Sequence, residues 1–135
     1  MADTTPLEAE TQRDILLAAP SLGCRLLRNN VGALKDATGR HVRYGVGGEG
    51  GSDLLGWTDV NGAAVFTAIE VKRKGKKPTG AQAQFVSAVV AAGGIAAICY
   101  SVQEFKETIL AYRSRLTRTS TLPEQSTERD PPFRF

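Results

Sequence analysis

Asp53, Glu70 and Lys72 are two carboxylates and an amine in the middle of the chain, and the residues between them say how they can meet. Asn61-Gly62 separates two strand-like runs, 52–60 and 63–72. Asn-Gly in that setting is a strong hairpin signal, because both residues tolerate positive φ. If these two residues are the whole turn, Val60 faces Ala63. Each step back from Val60 is then matched by a step forward from Ala63, until Asp53 meets Glu70. Opposed residues share a face, with Cβ atoms roughly 4.5–5.5 Å apart. Lys72 lies on the same face, and Ile69 and Val71 point the other way, into a core. Like charges opposed on a sheet repel. A hard cation such as Mg²⁺, bound through oxygen, offsets that repulsion. Lys72 neutralises one carboxylate and sits near an attacking water, so the set has the parts of metal-assisted phosphodiester hydrolysis. The competing reading is a solvated Glu-x-Lys strand face with a modest ion pair. A bulge near Gly56 would also change the register.

The elements around this hairpin follow from patterning. Residues 7–19 read as an amphipathic helix, with Thr5 as cap, Pro6 at the first helical position and Pro20 ending it. Residues 24–29 read as a strand, 32–39 as a loop or turn, and 41–46 as a second strand by its period of two. Gly45, Gly47, Gly48, Gly50 and Gly51 form a glycine-rich connection. It lacks the Gly-Lys-Ser/Thr of a phosphate loop. Residues 80–92 read as a helix capped by Thr79 and stopped by Gly93. Residues 95–100 read as a buried strand and 102–116 as an amphipathic helix. A helix between strands 63–72 and 95–100 implies a crossover that makes them parallel in one mixed sheet. The reading is one α/β domain over 1–116 and a flexible C-terminal tail over 117–135, where Ser, Thr, Pro and charge dominate.

Composition removes competing chemistries. The 135 residues hold one histidine, His41, and two cysteines, Cys24 and Cys99. A structural zinc site needs about four such ligands, and a disulfide scaffold is not expected of two distant cysteines beside an ample core. Both cysteines read as small core residues and His41 as a surface or strand-edge residue. The net charge of +3 is small, but Lys72, Arg73, Lys74, Lys76 and Lys77 crowd one stretch, where phosphate contact and a solvated loop are the two readings. Arg28, Asn29, Asn30 and Arg43 are further candidates to line a cleft. Trp57 and Phe66 read as core or interface packing, and Leu110, Tyr112 and Leu116 as packing on the sheet or on a second subunit. The N-terminal residues lack the basic start and apolar run of a signal peptide. The longest apolar stretch, 85–100, is broken by Gly93-Gly94 and is short for a bilayer. An intracellular protein with no membrane partner is expected.

Several motifs, in order, resemble one nuclease family. Glu8 and Gln12 stand on the first helix, followed by Arg28-Asn29-Asn30-Val31-Gly32, Val42-Arg43-Tyr44-Gly45 and Gly51-Ser52-Asp53-Leu54-Leu55-Gly56. Ile69-Glu70-Val71-Lys72 comes next, and Pro78-Thr79 with Gln82 and Phe85 leads to Gly93-Gly94. The combination is similar to the VRR-NUC nucleases, a branch of the PD-(D/E)xK phosphodiesterase superfamily, over residues 7 to about 110. Ser52 stands where the superfamily nominally has proline. The resemblance implies a restriction-endonuclease-like αβββαβ core with a mixed central sheet flanked by helices. It also implies a Mg²⁺ requirement, with Mn²⁺ as substitute. By the same resemblance Asp53, Glu70 and the Val71 carbonyl ligate the metal, and Lys72 positions or activates the attacking water. Glu8 helps through a water on the metal, and Gln82 orients the site. Arg28, Asn30, Arg43, Arg73, Lys74, Lys76 and Lys77 are the candidate nucleic-acid contacts. The expected activity is DNA endonuclease cleavage of branched or Holliday-junction-like DNA by a homodimer, in phage or bacterial DNA processing, leaving 5′-phosphate and 3′-hydroxyl ends. The alternatives are a non-catalytic DNA-binding module on the same fold and an RNA nuclease.

Overall fold

The computed structural model describes residues 6–119. Helix α1, Glu8–Ala18, starts after an extended Leu7. The Glu10 carboxylate accepts the Leu7 N–H at 3.2 Å, and Glu8 and Glu10 place negative charge at the positive end of the helix dipole. Pro6 therefore precedes the cap and is not the first helical residue; Thr5 lies outside the described residues. Pro20 does not stop the chain abruptly. It enters a short 3-10 turn, Ala19–Leu22, which Gly23 closes at φ 71°.

Strand β1 is Cys24–Arg28, with Cys24 and Leu26 inward and Arg25 and Leu27 outward. Two short strands, β2 (Gly32–Lys35) and β3 (His41–Tyr44), come next and pair only with each other. The loop expected over 32–39 is thus half strand, and the run over 41–46 does not join the main sheet. Asp36 makes this hairpin possible. Its carboxylate accepts the N–H and the hydroxyl of Thr38 and the N–H of Arg40, which closes the turn locally.

Strands β4 (Leu54–Val60) and β5 (Ala63–Val71) flank Asn61-Gly62. Both turn residues have positive φ, 53° and 82°. The register runs from Val60 opposite Ala63 to Leu54 opposite Ile69 without a bulge. Gly56 sits in regular pairing between Leu26 and Thr67. A Cβ there would run into the Arg25 carbonyl oxygen of the adjacent strand.

Helix α2, Gly80–Ala91, is capped by Thr79, and Gly93 turns the chain away at φ 94°. It leads into β6, Ile95–Cys99, which lies parallel to β5 as the crossover requires. Helix α3 spans Val102–Thr119. It continues past the expected boundary at 117, and residues 120–135 lie outside the described residues. No helix of the described residues is long and apolar enough to cross a membrane.

The main sheet has the order β1-β4-β5-β6, antiparallel except for the last pair. Ile15 and Ala19 of the first helical segment and Phe105 and Ile109 of α3 pack on one face, against Leu26, Leu54, Ile69 and Val71. Cys24 and Cys99 are free and buried in the same core. Helix α2 covers the other face, beside β5 and β6. Trp57 and Phe66 face each other on that second face, 45% and 46% exposed, and so are not core residues. The succession α1-β1-β4-β5-α2-β6 is the αβββαβ core of a restriction-endonuclease-like α/β fold, with the β2–β3 hairpin inserted after its first strand.

Gly56→Ala should therefore destabilise the protein by about 2 kcal/mol, because β1 must move away from β4 to admit the methyl group. Thermal unfolding measures this, and an unchanged midpoint would contradict the tight β1–β4 approach.

Candidate active site

The turn delivers Asp53 and Glu70 to neighbouring positions one step past the last paired residues of β4 and β5. Each carboxylate then engages the other's strand. The Asp53 N–H donates to Glu70 Oε2 at 3.2 Å, and the Val71 N–H donates to Asp53 Oδ2 at 2.8 Å. Glu70 is only 2% exposed. Its Oε1 accepts the Gln82 Nε2–H at 2.8 Å and lies 3.9 Å from Lys72 Nζ. The Lys72 backbone N–H donates to the Cys99 carbonyl at 3.0 Å, which ties the lysine to the end of β6.

Gln82 has two tasks. Its Oε1 accepts the Thr79 N–H at 2.8 Å, while its own N–H donates to the Thr79 hydroxyl at 3.2 Å. This reciprocal cap fixes the first turn of α2. The same side chain holds Glu70, so the helix start and the carboxylate are positioned by one amide.

Electrostatics follow from the burial. Glu70 is pushed up to about 7, first by burial and then by the Asp53 charge, with Lys72 pulling the other way. Asp53 is also raised, chiefly by burial, against the lowering effect of the Val71 N–H. The Glu8 charge adds to that rise, so α1 brings its first residue within electrostatic reach. The Glu8 carboxylate also accepts the Arg73 N–H at 3.3 Å. One amine, that of Lys72, stands beside the two raised carboxylates. Their donor atoms are all oxygen, as a hard cation prefers. Among the described residues no group of three or more His, Cys, Asp or Glu side chains forms a cage. Two carboxylates alone could still hold Mg²⁺, which retains several waters and is held by few protein ligands.

A cleft of about 380 Å³ opens in front of Asp53, lined also by Gln82, Asn29, Ala33, Arg43 and Glu49 among others. Arg43 pairs there with Glu49 at 2.6 Å. Arg28 reaches the Gln12 side chain at 3.4 Å, and Asn30 is exposed outside the lining. Lys74, Lys76 and Lys77 line a separate groove with Tyr100, whose hydroxyl donates to the Lys76 carbonyl at 3.0 Å.

Asn29 carries a role that the sequence does not announce. Its side-chain N–H groups donate to the carbonyls of Val46 and Ser52, its Oδ1 accepts the Val46 N–H, and its own N–H donates to the Asp53 carbonyl. The peptide on each side of Asp53 is thereby held. Only the spacing of Asn29 from the glycine-rich run hints at this contact.

Both carboxyls are raised, so their protonated forms favour the native state. The unfolded chain releases the Glu70 proton near 4.5 and the native protein near 7. Between these values the native state binds more protons, and stability falls as pH rises. Urea unfolding with a chelator present should show a less stable protein at pH 8 than at pH 5. Glu70→Gln should flatten that difference; an equally steep profile in the variant would contradict the assignment.

The VRR-NUC domain model matches residues 10–103, from α1 through the carboxylate pair, Lys72 and Gln82 to the start of α3. No curated protein and no solved structure matches the chain. The match covers more than half of the sequence and contains Asp53, Glu70, Lys72 and Gln82, and the chain therefore belongs to the VRR-NUC family of nuclease domains.

Proposed function

We propose that this protein is a Mg²⁺- or Mn²⁺-dependent DNA endonuclease that acts inside the cell on branched or otherwise structured DNA. The observation that carries the reading is the opposed pair of half-buried Asp53 and buried Glu70, with Lys72 beside Glu70 and Asp53 opening on a cleft. Asp53, Glu70 and the Val71 carbonyl would hold the cation. When bound, it supplies Lewis-acid polarisation of the phosphoryl oxygen and makes a nearby water more acidic. The chain's own groups do the rest. Lys72 brings a positive charge to the site of attack, where it stabilises the charge that develops on the phosphate. Gln82 keeps Glu70 in one orientation, and Asn29 keeps the Asp53 backbone in place. Glu8 adds a third carboxylate at the edge of the site, able to orient water. Arg28, Asn30 and Arg43, with the 73–77 run, would bind the flanking phosphates. In-line attack would leave a 5′-phosphate and a 3′-hydroxyl. One such site per chain makes a single cut, so two chains in a homodimer would deliver paired cuts.

The test is cleavage of plasmid, linear duplex and four-way junction DNA with Mg²⁺ or Mn²⁺, with the wild type most active on the junction. Asp53→Ala and Lys72→Ala should each lower the rate on the order of 10²-fold or more. Full activity in either variant would remove that residue from the site. A metal-independent mobility shift, with no cutting under any metal, would instead make the protein a DNA-binding module. Solution scattering should give twice the chain mass; a monomer with and without DNA would count against the dimer.

A further inference from the structure

We propose that the β2–β3 hairpin is a DNA-binding wing, whose row of Arg43, Lys35 and His41 takes backbone phosphates of the duplex flanking the scissile bond. The inference rests on the nuclease reading above and adds a surface and residues to it.

The register sorts the hairpin into two chemically different faces. Ala33 pairs with Arg43 and Lys35 with His41, while Gly32 pairs with Tyr44 and Leu34 with Val42. Alternation places the first two pairs on one face and the last two on the other. One side is thus cationic and hydrogen-bonding, and the other is apolar. Ala33 and Arg43 line the cleft that contains Asp53 and Gln82, and from the other face only Gly32, which has no side chain, joins them. The cationic side is therefore the one turned to the site, and Lys35 and His41 continue it outward. Lys35, His41 and Arg43 are all exposed.

The base of the wing is fixed. Asn29 bonds both the N–H and the carbonyl of Val46, just past β3, and the backbone on either side of Asp53. Hairpin and catalytic carboxylate share one bracket, so the row stands at a set distance from the scissile phosphate. The row ends at Lys35 and His41. Beyond them Asp36 is committed to the turn and pairs with Arg40 at 3.7 Å, which cancels the charge of the tip. One step from Arg43 to the Lys35–His41 pair spans about 7 Å, roughly two base-pair steps of duplex. A duplex must therefore extend past the cleft to feel the outer pair.

Glu49, in the glycine-rich connection, occupies the place of a phosphate. It holds Arg43 at 2.6 Å in the free protein, with both side chains more than half exposed. An exposed pair of this kind is weak, so a DNA phosphate can replace the carboxylate on Arg43.

The experiment measures DNA affinity by fluorescence anisotropy with Ca²⁺ in place of Mg²⁺. It uses a nested set of duplexes shortened from each end, at several salt concentrations. On long duplexes Lys35→Ala should weaken binding several-fold and lower the salt slope by about one. Glu49→Gln should tighten binding. The Lys35→Ala difference should shrink to nothing on the shortest duplexes while the Glu49→Gln difference, made at the cleft, remains; a general folding defect would not produce that split. Unchanged affinity and slope in Lys35→Ala, or an equal loss at every length, would overturn the wing. Wild-type cleavage alongside that result would leave the nuclease reading standing. A wild type that neither binds nor cuts DNA would remove both.

Discussion

Two carboxylates that repel each other are held together by a two-residue turn, and the rest of the site depends on that opposition. Asn61-Gly62 closes β4 onto β5 in one register, and slipping by a single residue would turn Glu70 into the core and Ile69 out of it. The core residues that share the strands resist such a slip. Leu54, Ile69 and Val71 are fully buried against Phe105, Ile109 and Ile15. Apolar packing on one face of the sheet thus holds the charged arrangement on the other. Burial is the main reason both carboxyls are raised, and the Asp53 charge raises Glu70 further. A cation placed between them would relieve their repulsion.

The groups that steady the pair also build the fold. Gln82 caps α2 and holds Glu70. The Val71 N–H lies past the last β4–β5 pair, Leu54 with Ile69, and donates to the Asp53 carboxylate. Asn29 brackets the glycine-rich connection against Asp53, and the glycines let it fit. Gly51 lies so close to the Val46 carbonyl, and Gly50 to that of Ala81, that no side chain could be added at either position. Loss of one of these groups would therefore disturb both a backbone path and a reacting group.

The carboxylate pair was legible because its signals are local. A two-residue turn sets the register and alternation does the counting, so Asp53, Glu70 and Lys72 could be placed together from numbers alone. The cap at Thr79, the stop at Gly93 and the parallel crossover are of the same kind. The β2 strand was not legible, because 32–35 contains a glycine, has only four residues and depends on Asp36 to close its turn. The start of α1 was misplaced by Pro6, a residue whose preference for the first turn yielded to a Glu10 carboxylate closing on Leu7. The exposure of Trp57 and Phe66 was hidden for another reason. Large aromatic residues on a strand say which side they share but not whether a helix reaches far enough to cover it, and α2, packed on β5 and β6, leaves the Trp57–Phe66 pair half exposed.

Where positive charge sits relative to the carboxylates decides how this domain can meet a polyanion. The dense run after Lys72 looks in sequence like the obvious anchor, yet Lys74, Lys76 and Lys77 turn into a groove beside Tyr100 and not into the cleft. The cleft wall is supplied instead by the hairpin insertion, whose Arg43 pairs with Glu49 in the free state. A strand entering the site would meet Arg43 and Asp53 together on one side, with the lysine run beyond the far end of β5. Charge on two separate elements, one bracketed to Asp53 by Asn29 and the other following directly from Lys72, can hold a path that bends at the scissile phosphate. A single continuous patch would favour a straight one. Under the proposed function, that division of the cations, more than their total of 17, is what would suit DNA that changes direction.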